Sequence, residues 1–237
     1  MDPGAPDAHR WWSPFLVSGE VAVTHVDLAP HPTREVVAQS WLDEVELARW
    51  GNYASEPRRR FVLCRAALRS LLCEELGCPN AQLGFQESEY GKPFALVAGQ
   101  PAPISFNVSH SGSHGLIACA PHGRLGIDVE EIAPRPHLAS LIEAVMAPGE
   151  QAELGLLSGD AQLCQFFRLW TCKEALIKAL GTGFSTDISK LYVPAGLRLG
   201  ERTGVFRFEH LPAVSWLLED ISGEGFAAAL ARELPER

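Results

Sequence analysis

Two long helical patterns, each ended by a glycine, constrain the fold of this chain more than any other feature. The first runs from Leu42 to Leu76, with apolar residues recurring on one stripe, and Gly77 ends it. The second runs from Ala161 to Leu180 and is closed by Gly181. A further helical stretch is predicted from Leu138 to Leu157. These helices lie far apart in the sequence, so each half of the chain has its own long helix.

Short strand patterns accompany both long helices. They are predicted at Val21 to Leu28, Phe106 to His110, Gly115 to Ala120, Leu125 to Glu130, and in patches of Leu191 to Leu230. The break at residues 121–123 separates two adjacent strands and predicts that they form a hairpin. Each half therefore combines a helix with a small, mainly antiparallel sheet, which predicts an α+β fold.

Composition excludes several classes of protein. With 46% hydrophobic and 21% charged residues, the chain is typical of a soluble globular protein. A net charge of −9 argues against nucleic-acid binding, which requires a broad basic surface. No stretch reaches the roughly 18 to 20 apolar residues of a membrane span, and no secretory signal is apparent, so we expect a cytoplasmic protein. None of the six cysteines shows the two-residue spacing of a zinc or redox pair.

A first polar motif lies in the strand predicted from Leu125 to Glu130. Side chains alternate along a strand, so Ile127 and Val129 face one way while Asp128 and Glu130 face the other. Two carboxylates side by side are suited to a hard cation. An isolated pair of this kind is also common on the solvated face of an edge strand, so the motif alone does not establish a site.

A second motif spans Trp170 to Lys178 in the last long helix. Helical spacing places Trp170, Lys173, Glu174, Ile177 and Lys178 on one broad face. A surface Glu-to-Lys pair beside an apolar stripe would give the same pattern. If Glu174 faces Asp128 and Glu130, however, three carboxylates converge and require a cation; oxygen ligands favour magnesium or manganese.

A third motif, from Phe106 to Gly112, surrounds His110 with serine hydroxyls just before a glycine turn. Such hydroxyls, backbone N–H groups and a histidine can donate to phosphate oxygens. A nucleophilic serine is less consistent with the sequence because the usual G-x-S-x-G elbow is absent. A structural turn with a hydrogen-bonded histidine remains an alternative.

The order and spacing of these motifs indicate that they belong to one functional site. Together with Tyr90-Gly91-Lys92-Pro93, they closely resemble the 4′-phosphopantetheinyl transferases of the surfactin-synthetase-activating type. The resemblance is clear from about Arg58 to Gly181. It implies two similar α/β lobes in a pseudo-twofold arrangement, with the active site in the cleft between them. We place the lobes at residues 1–123 and 124–237 and expect a monomer.

The resemblance also implies roles for individual residues. Asp128, Glu130 and Glu174 would hold Mg²⁺, with Mn²⁺ as a substitute, against the pyrophosphate of coenzyme A, the co-substrate. For coenzyme A, it implies that Lys173 and Lys178 bind the phosphates and that Ser109 and His110 bind the ribose. It further implies that Lys92 and Pro93 line the adenine pocket. Arg65 and Ser70 would bind the 3′-phosphate. Lysines that hold the 3′-phosphate elsewhere in the family fall here on Ala54 and Pro57. Glu150 resembles a further acidic position whose role stays open.

The implied reaction transfers the phosphopantetheine arm of coenzyme A to a serine of an acyl or peptidyl carrier protein. Asp128, Glu174 and Lys178 are the predicted catalytic residues, with Glu174 as the base that takes the serine proton. Two alternatives stay open at this point. A magnesium-dependent phosphodiesterase or pyrophosphatase could use the same carboxylates with water, and an inactive module could bind coenzyme A without reacting. The pathway of the carrier, whether fatty acid, polyketide or nonribosomal peptide synthesis, is not specified by the sequence.

Overall fold

The computed structural model describes residues 10–181 and 186–235. Its two longest helices, α3 (Ser55–Leu76) and α6 (Gly159–Leu180), each contain 22 residues and each end at a glycine in the left-handed region, Gly77 at φ 61° and Gly181 at φ 76°. Glycine adopts this conformation without the steric cost that other residues incur, so both predicted helix ends are confirmed.

The helices are short apart from these two. They are α1 Pro32–Gln39, α2 Glu44–Gly51, α3 Ser55–Leu76, α4 Leu138–Val145, α5 Pro148–Gly155, α6 Gly159–Leu180 and α7 Ala195–Arg198. Two predicted helices are therefore each divided in two. The stretch from Leu42 breaks at residues 52–54. The stretch from Leu138 breaks before Pro148, because proline is tolerated in the first turn of a helix but not inside one.

The strands are β1 Trp12–Ser18, β2 Val21–Asp27, β3 Leu83–Glu87, β4 Pro93–Val97, β5 Gln100–Pro101, β6 Ser105–Ser111, β7 His114–Ala120, β8 Leu125–Glu131, β9 Thr203–Phe206, β10 Trp216–Asp220 and β11 Phe226–Glu233. The first four-stranded sheet has the order β1-β2-β7-β6, the second has the order β8-β11-β10-β9, and β3-β4-β5 form a small third sheet. Strand pairing within these sheets is antiparallel. The predicted α+β class is confirmed.

One predicted pairing is wrong. The short connection at residues 121–124 suggested that β7 and β8 form a hairpin, but β7 pairs with β2 and β6, whereas β8 pairs with β11. The chain leaves the first sheet at Ala120 and enters the second at Leu125. This exchange places β8 at an edge of the second sheet, beside the β6 edge of the first. The predicted boundary between the lobes, after residue 123, lies in this connection between the sheets and stays a prediction.

Three apolar clusters hold the layers together. One lies between α3 and the first sheet and includes Leu63, Leu68 and Ile117. A second lies between α6 and the second sheet, and a third fills the space between the two sheets, where Ile127 and Val129 of β8 are buried. Because side chains alternate along β8, Asp128 and Glu130 face α6 instead. Close packing of α6 on β8 therefore brings both carboxylates to the helix that carries Glu174.

No described helix is both long enough and apolar enough to cross a membrane.

Candidate active site

The candidate site begins where the edges of β6 and β8 meet. Side chains of β6 replace the missing strand partner: Asn107 Oδ1 accepts a hydrogen bond from the Ile127 N–H (2.8 Å), and Ser109 Oγ accepts one from the Val129 N–H (3.3 Å). Buried backbone N–H groups require such partners. The two sheets are therefore joined by side chains at this point, and the gap between them remains open as a cleft.

Ser109 is also bonded to the acidic side of the cleft. Its hydroxyl donates to Asp128 Oδ1 at 2.9 Å and accepts from Lys178 Nζ at 3.0 Å. With the Val129 N–H, the single donor and both acceptor positions of the hydroxyl are occupied. In this arrangement Ser109 holds Asp128 and Lys178, and the ribose contact that the resemblance implied stays a prediction.

Asp128 is the most deeply buried acid of the cleft, with 4% of its surface exposed. Its Oδ1 accepts from Lys178 Nζ at 2.6 Å, whereas its Oδ2 is buried and has no hydrogen-bond partner among the described residues. Burial raises the pKa of Asp128, and the neighbouring Lys178 charge opposes that rise. A buried carboxylate oxygen without a partner is costly, so this atom is suited to an added ligand.

Glu130 and Glu174 line the same cavity as Asp128. Glu130 Oε2 accepts from Ser111 Oγ at 2.6 Å and from Arg135 Nη2 at 3.4 Å. The pKa of Glu174 is raised, first by burial and then by the negative charge of Asp128. Within the described residues, no three His, Cys, Asp or Glu side chains form a ready-made metal site. The three carboxylates line one cavity, where Lys178 is paired with Oδ1 of Asp128.

All three acids line a cavity of about 640 Å³ whose other walls come from the first half of the chain. Basic side chains there include Arg49 and Arg65, and His110 projects from the end of β6. The pKa of His110 is lowered by loss of hydration and by the charges of Arg60 and Lys178, which favours the neutral imidazole. A site with carboxylates on one wall and cations on the other is suited to an anionic ligand that arrives with a divalent ion.

Comparisons with known proteins cover both halves of the chain. A family model described as "4'-phosphopantetheinyl transferase superfamily" matches residues 124–231, and one described as "4'-phosphopantetheinyl transferase, N-terminal" matches residues 29–122. The 4′-phosphopantetheinyl transferase HetI of Nostoc sp. is 35% identical over 171 residues, 72% of this chain and 72% of its own length. The chain belongs to the 4′-phosphopantetheinyl transferase superfamily.

Two other members of the superfamily align over shorter regions. A Synechocystis sp. protein of the same family is 37% identical over 154 residues, 65% of this chain and 62% of its own length. The 4′-phosphopantetheinyl transferase AcpT of Salmonella typhimurium is 44% identical over 93 residues, 39% of this chain and 47% of its own length. In both cases the aligned part of this chain spans less than two thirds of the relative.

Two residues implied by the family resemblance lie outside the cavity. Lys173 is fully buried and pairs with Glu150 of α5. Ser70 is half-buried in α3 and does not line the cavity, whereas Arg65 does. Arg65 Nε lies 3.4 Å from Glu46 Oε1, and its guanidinium stacks 4.3 Å from the centre of the Phe85 ring. Of the predicted 3′-phosphate contacts, only Arg65 is therefore in position.

Sequence reasoning missed Arg49 and Tyr53, which line the cavity. Both lie where the first predicted helix is interrupted, Arg49 in the last turn of α2 and Tyr53 just after it. On a continuous helix they would have pointed elsewhere. A recognised break near Gly51-Asn52 was the only signal that could have separated them from α3. Neighbouring Arg69 is also excluded from the cavity, since it is buried and ion-paired with Asp43 and Glu46.

Lys92 and Pro93 lie between the lobes. Pro93 lines the 640 Å³ cavity, and both residues line an adjoining cavity of about 380 Å³ that also contacts Glu174. Lys92 Nζ donates to the carbonyls of Leu125 and Lys178, each at 2.8 Å. This side chain therefore connects the small third sheet to the start of β8 and to the end of α6. Its side chain acts as a link between the lobes, and the adenine contact that the resemblance implied stays a prediction.

We predict that Lys92→Met destabilises the protein by about 1–3 kcal/mol, because two buried carbonyls lose their donor. Burial lowers the pKa of Lys92 to about 8 from an ordinary value of 10.5. Between these values the unfolded chain binds more protons, so this residue's contribution to stability rises with pH. Urea unfolding at pH 7.5 and 9.5 should give a larger difference between wild type and variant at pH 9.5. An equal difference at both pH values would contradict the link.

Proposed function

We propose that this protein is a holo-acyl-carrier-protein synthase. It transfers 4′-phosphopantetheine from coenzyme A to a serine of an acyl or peptidyl carrier protein and releases adenosine 3′,5′-bisphosphate. The observation that carries the proposal is the convergence of Asp128, Glu130, Glu174 and Lys178 on one cavity, opposite Arg65 and His110, in a chain of this superfamily. A cavity of about 640 Å³ lies within the usual range for a small-molecule site.

The donor atoms support a magnesium ion as cofactor. Asp128, Glu130 and Glu174 offer oxygen ligands, and the buried Asp128 Oδ2 has no partner among the described residues. These three residues would hold Mg²⁺, or Mn²⁺ in its place, together with oxygens of the substrate. When bound, the ion neutralises charge on the pyrophosphate. Lys178 then has a second partner available in the phosphates, since its ammonium group lies at the cavity surface beside Asp128.

The remaining chemistry is assigned to side chains of the chain itself. Glu174 accepts the proton of the carrier serine while the serine oxygen forms a bond to the β-phosphorus and the bond between that phosphorus and the bridging oxygen breaks. Lys178 supports the negative charge of the departing adenosine bisphosphate. Arg65 and His110, on the opposite wall, hold the nucleotide end in line.

The test is incubation with coenzyme A, Mg²⁺ and a panel of apo-carrier proteins, followed by intact-mass measurement. Transfer adds about 340 Da to the carrier, the mass of the arm, and releases one adenosine bisphosphate for each arm added. Removal of Mg²⁺ with a chelator should stop both events. Hydrolysis of coenzyme A without a mass gain would indicate a phosphodiesterase or pyrophosphatase, and binding without consumption would indicate an inactive module. Either result contradicts the proposal.

The proposal includes a monomeric, cytoplasmic enzyme. Both walls of the cavity come from one chain, which supports a site complete within the monomer. The panel of carriers should contain fatty acid, polyketide and nonribosomal peptide types, because differences in rate among them identify the pathway served.

A further inference from the structure

A buried ion pair between α5 and α6 is not used by the proposed chemistry. Lys173 and Glu150 are both 0% exposed, and Lys173 Nζ lies 2.6 Å from Glu150 Oε2. The ammonium group also donates to the carbonyls of Val145 at 2.9 Å and Ile188 at 3.3 Å. An ammonium group has three N–H bonds, and all three are used. Lys173 therefore has no donor left for a phosphate.

Glu150 is equally occupied. Its Oε2 also accepts from the Ala147 N–H at 2.9 Å, which closes the first turn of α5, and its Oε1 accepts from the Val193 N–H at 2.9 Å. The pair therefore joins α6 to the end of α4, the start of α5 and the segment from Ile188 to Val193. A pair of buried charges is retained at a desolvation cost, so its value lies in fixing a unique arrangement of these segments.

The segments that the pair joins bear directly on the candidate site. Lys173 immediately precedes Glu174, so the contacts that fix the rotation of α6 at Lys173 also fix the direction in which Glu174 points. Ile188, whose carbonyl Lys173 holds, lines the 380 Å³ cavity together with Glu174 and Lys178. Movement of this pair would displace both Glu174, the proposed base, and Ile188, which lines the same 380 Å³ cavity.

We propose that Lys173 and Glu150 form a positioning pair that orients Glu174 and Ile188, and that Lys173 does not contact coenzyme A. The functional part of this inference rests on the proposed transferase activity. It replaces the phosphate contact that the family resemblance implied for Lys173. Both residues of the pair are expected to act as one unit, whereas a phosphate-binding lysine would act independently of Glu150.

Acetylation of the native wild-type protein tests the placement of Lys173 without any mutation. The chain has four lysines, Lys92, Lys173, Lys178 and Lys190, which serve as internal controls for one another. Lys190, with 81% of its side chain exposed, should react fully. Lys173 should react at least about tenfold more slowly, with or without coenzyme A, because the reagent reaches it only by local unfolding. Labelling of Lys173 at a rate near that of Lys190, suppressed by coenzyme A, would overturn the proposal.

The acetylation of Lys178 shows whether a failed test concerns the positioning pair or the proposed function. Addition of coenzyme A and Mg²⁺ should protect Lys178 from acetylation. If Lys178 is not protected while Lys173 remains inert, the assignment of the cavity fails but the buried pair stands. If Lys178 is protected and Lys173 is protected as well, the positioning role fails and the transferase proposal stands.

A double-mutant cycle tests whether the pair acts as a unit. Lys173→Met and Glu150→Gln should each lower both thermal stability and kcat, and the double variant should lose much less than the sum. The Kd for coenzyme A should change less than about twofold, whereas loss of a phosphate contact raises it about tenfold or more. Additive effects, or a raised Kd for Lys173→Met alone, would contradict the pair. Lys173→Arg should be as damaging as Lys173→Met, since the larger guanidinium does not fit the enclosed site.

Discussion

Asp128→Asn is expected to reduce phosphopantetheine transfer by about 10³-fold or more while leaving the protein folded. The substitution keeps the size of the side chain and removes the charge that Lys178 and the proposed Mg²⁺ share. Two effects on stability oppose each other: the ion pair with Lys178 is lost, but a buried carboxylate with a raised pKa no longer has to be desolvated. We therefore expect a small change in melting temperature, measured beside the intact-mass assay of carrier modification.

Asp220→Asn is the matched control for this prediction. Asp220 is also a buried carboxylate of the second sheet, and it accepts hydrogen bonds from Arg168 at 2.9 and 2.7 Å. It does not line the candidate cavity. Its replacement should lower stability by about 1.5–3 kcal/mol, because charged hydrogen bonds are lost, and should leave transfer per folded molecule near the wild-type level. Wild-type transfer by Asp128→Asn would remove this residue from the mechanism.

The sequence was sufficient to predict features that depend on local periodicity. Alternation along β8 correctly placed Ile127 and Val129 in the core and Asp128 and Glu130 on the other face. The glycines at 77 and 181 correctly marked the ends of both long helices. These features follow from the geometry of a single element, so neighbouring residues are enough to determine them.

Contacts between distant elements were not predictable in the same way. A four-residue connection between β7 and β8 suggested a hairpin, yet β8 pairs with β11 near the end of the chain. The partner strand and the register of the pairing decide which side chains face each other, and the local sequence of a strand identifies neither. The same limit applies to Lys173. Helical spacing placed it on a broad face with Glu174, but only the position of Glu150 in α5 determines that it is buried in an ion pair and does not line the cavity.

Ser109 shows that a motif can indicate a residue's neighbourhood without indicating its contacts. Its place beside His110 at the cleft was inferred from the motif, and the structure brings it to Asp128 and Lys178. The sequence could not indicate that β6 and β8 meet at their edges. At this edge the Val129 N–H has no backbone acceptor from a neighbouring strand, and it donates to the hydroxyl of Ser109 instead.

Gly126→Ala is expected to destabilise the protein by about 3 kcal/mol or more, the largest effect on stability that we predict for a single methyl group. A Cβ atom at this position would lie 2.2 Å from the Ala175 carbonyl oxygen and 2.3 Å from the Ala179 nitrogen. Both atoms belong to the backbone of α6, so they cannot move aside as a side chain would. The helix must shift away from β8, and Glu174 and Lys178 then move away from Asp128.

Gly84→Ala separates this steric effect from the general effect of replacing a strand glycine. No atom lies within 4 Å of a Cβ added at Gly84 in β3, so stability should be unchanged or slightly increased by the lower entropy of the unfolded chain. Urea denaturation measures both variants, and far-ultraviolet circular dichroism establishes that each is folded before denaturant is added. If Gly126→Ala is as stable as Gly84→Ala, α6 and β8 are not in the contact described, and the placement of Glu174 opposite Asp128 fails with it. If Gly126→Ala is unstable and transfers more slowly even in its folded fraction, the distance between strand and helix is itself a determinant of the site.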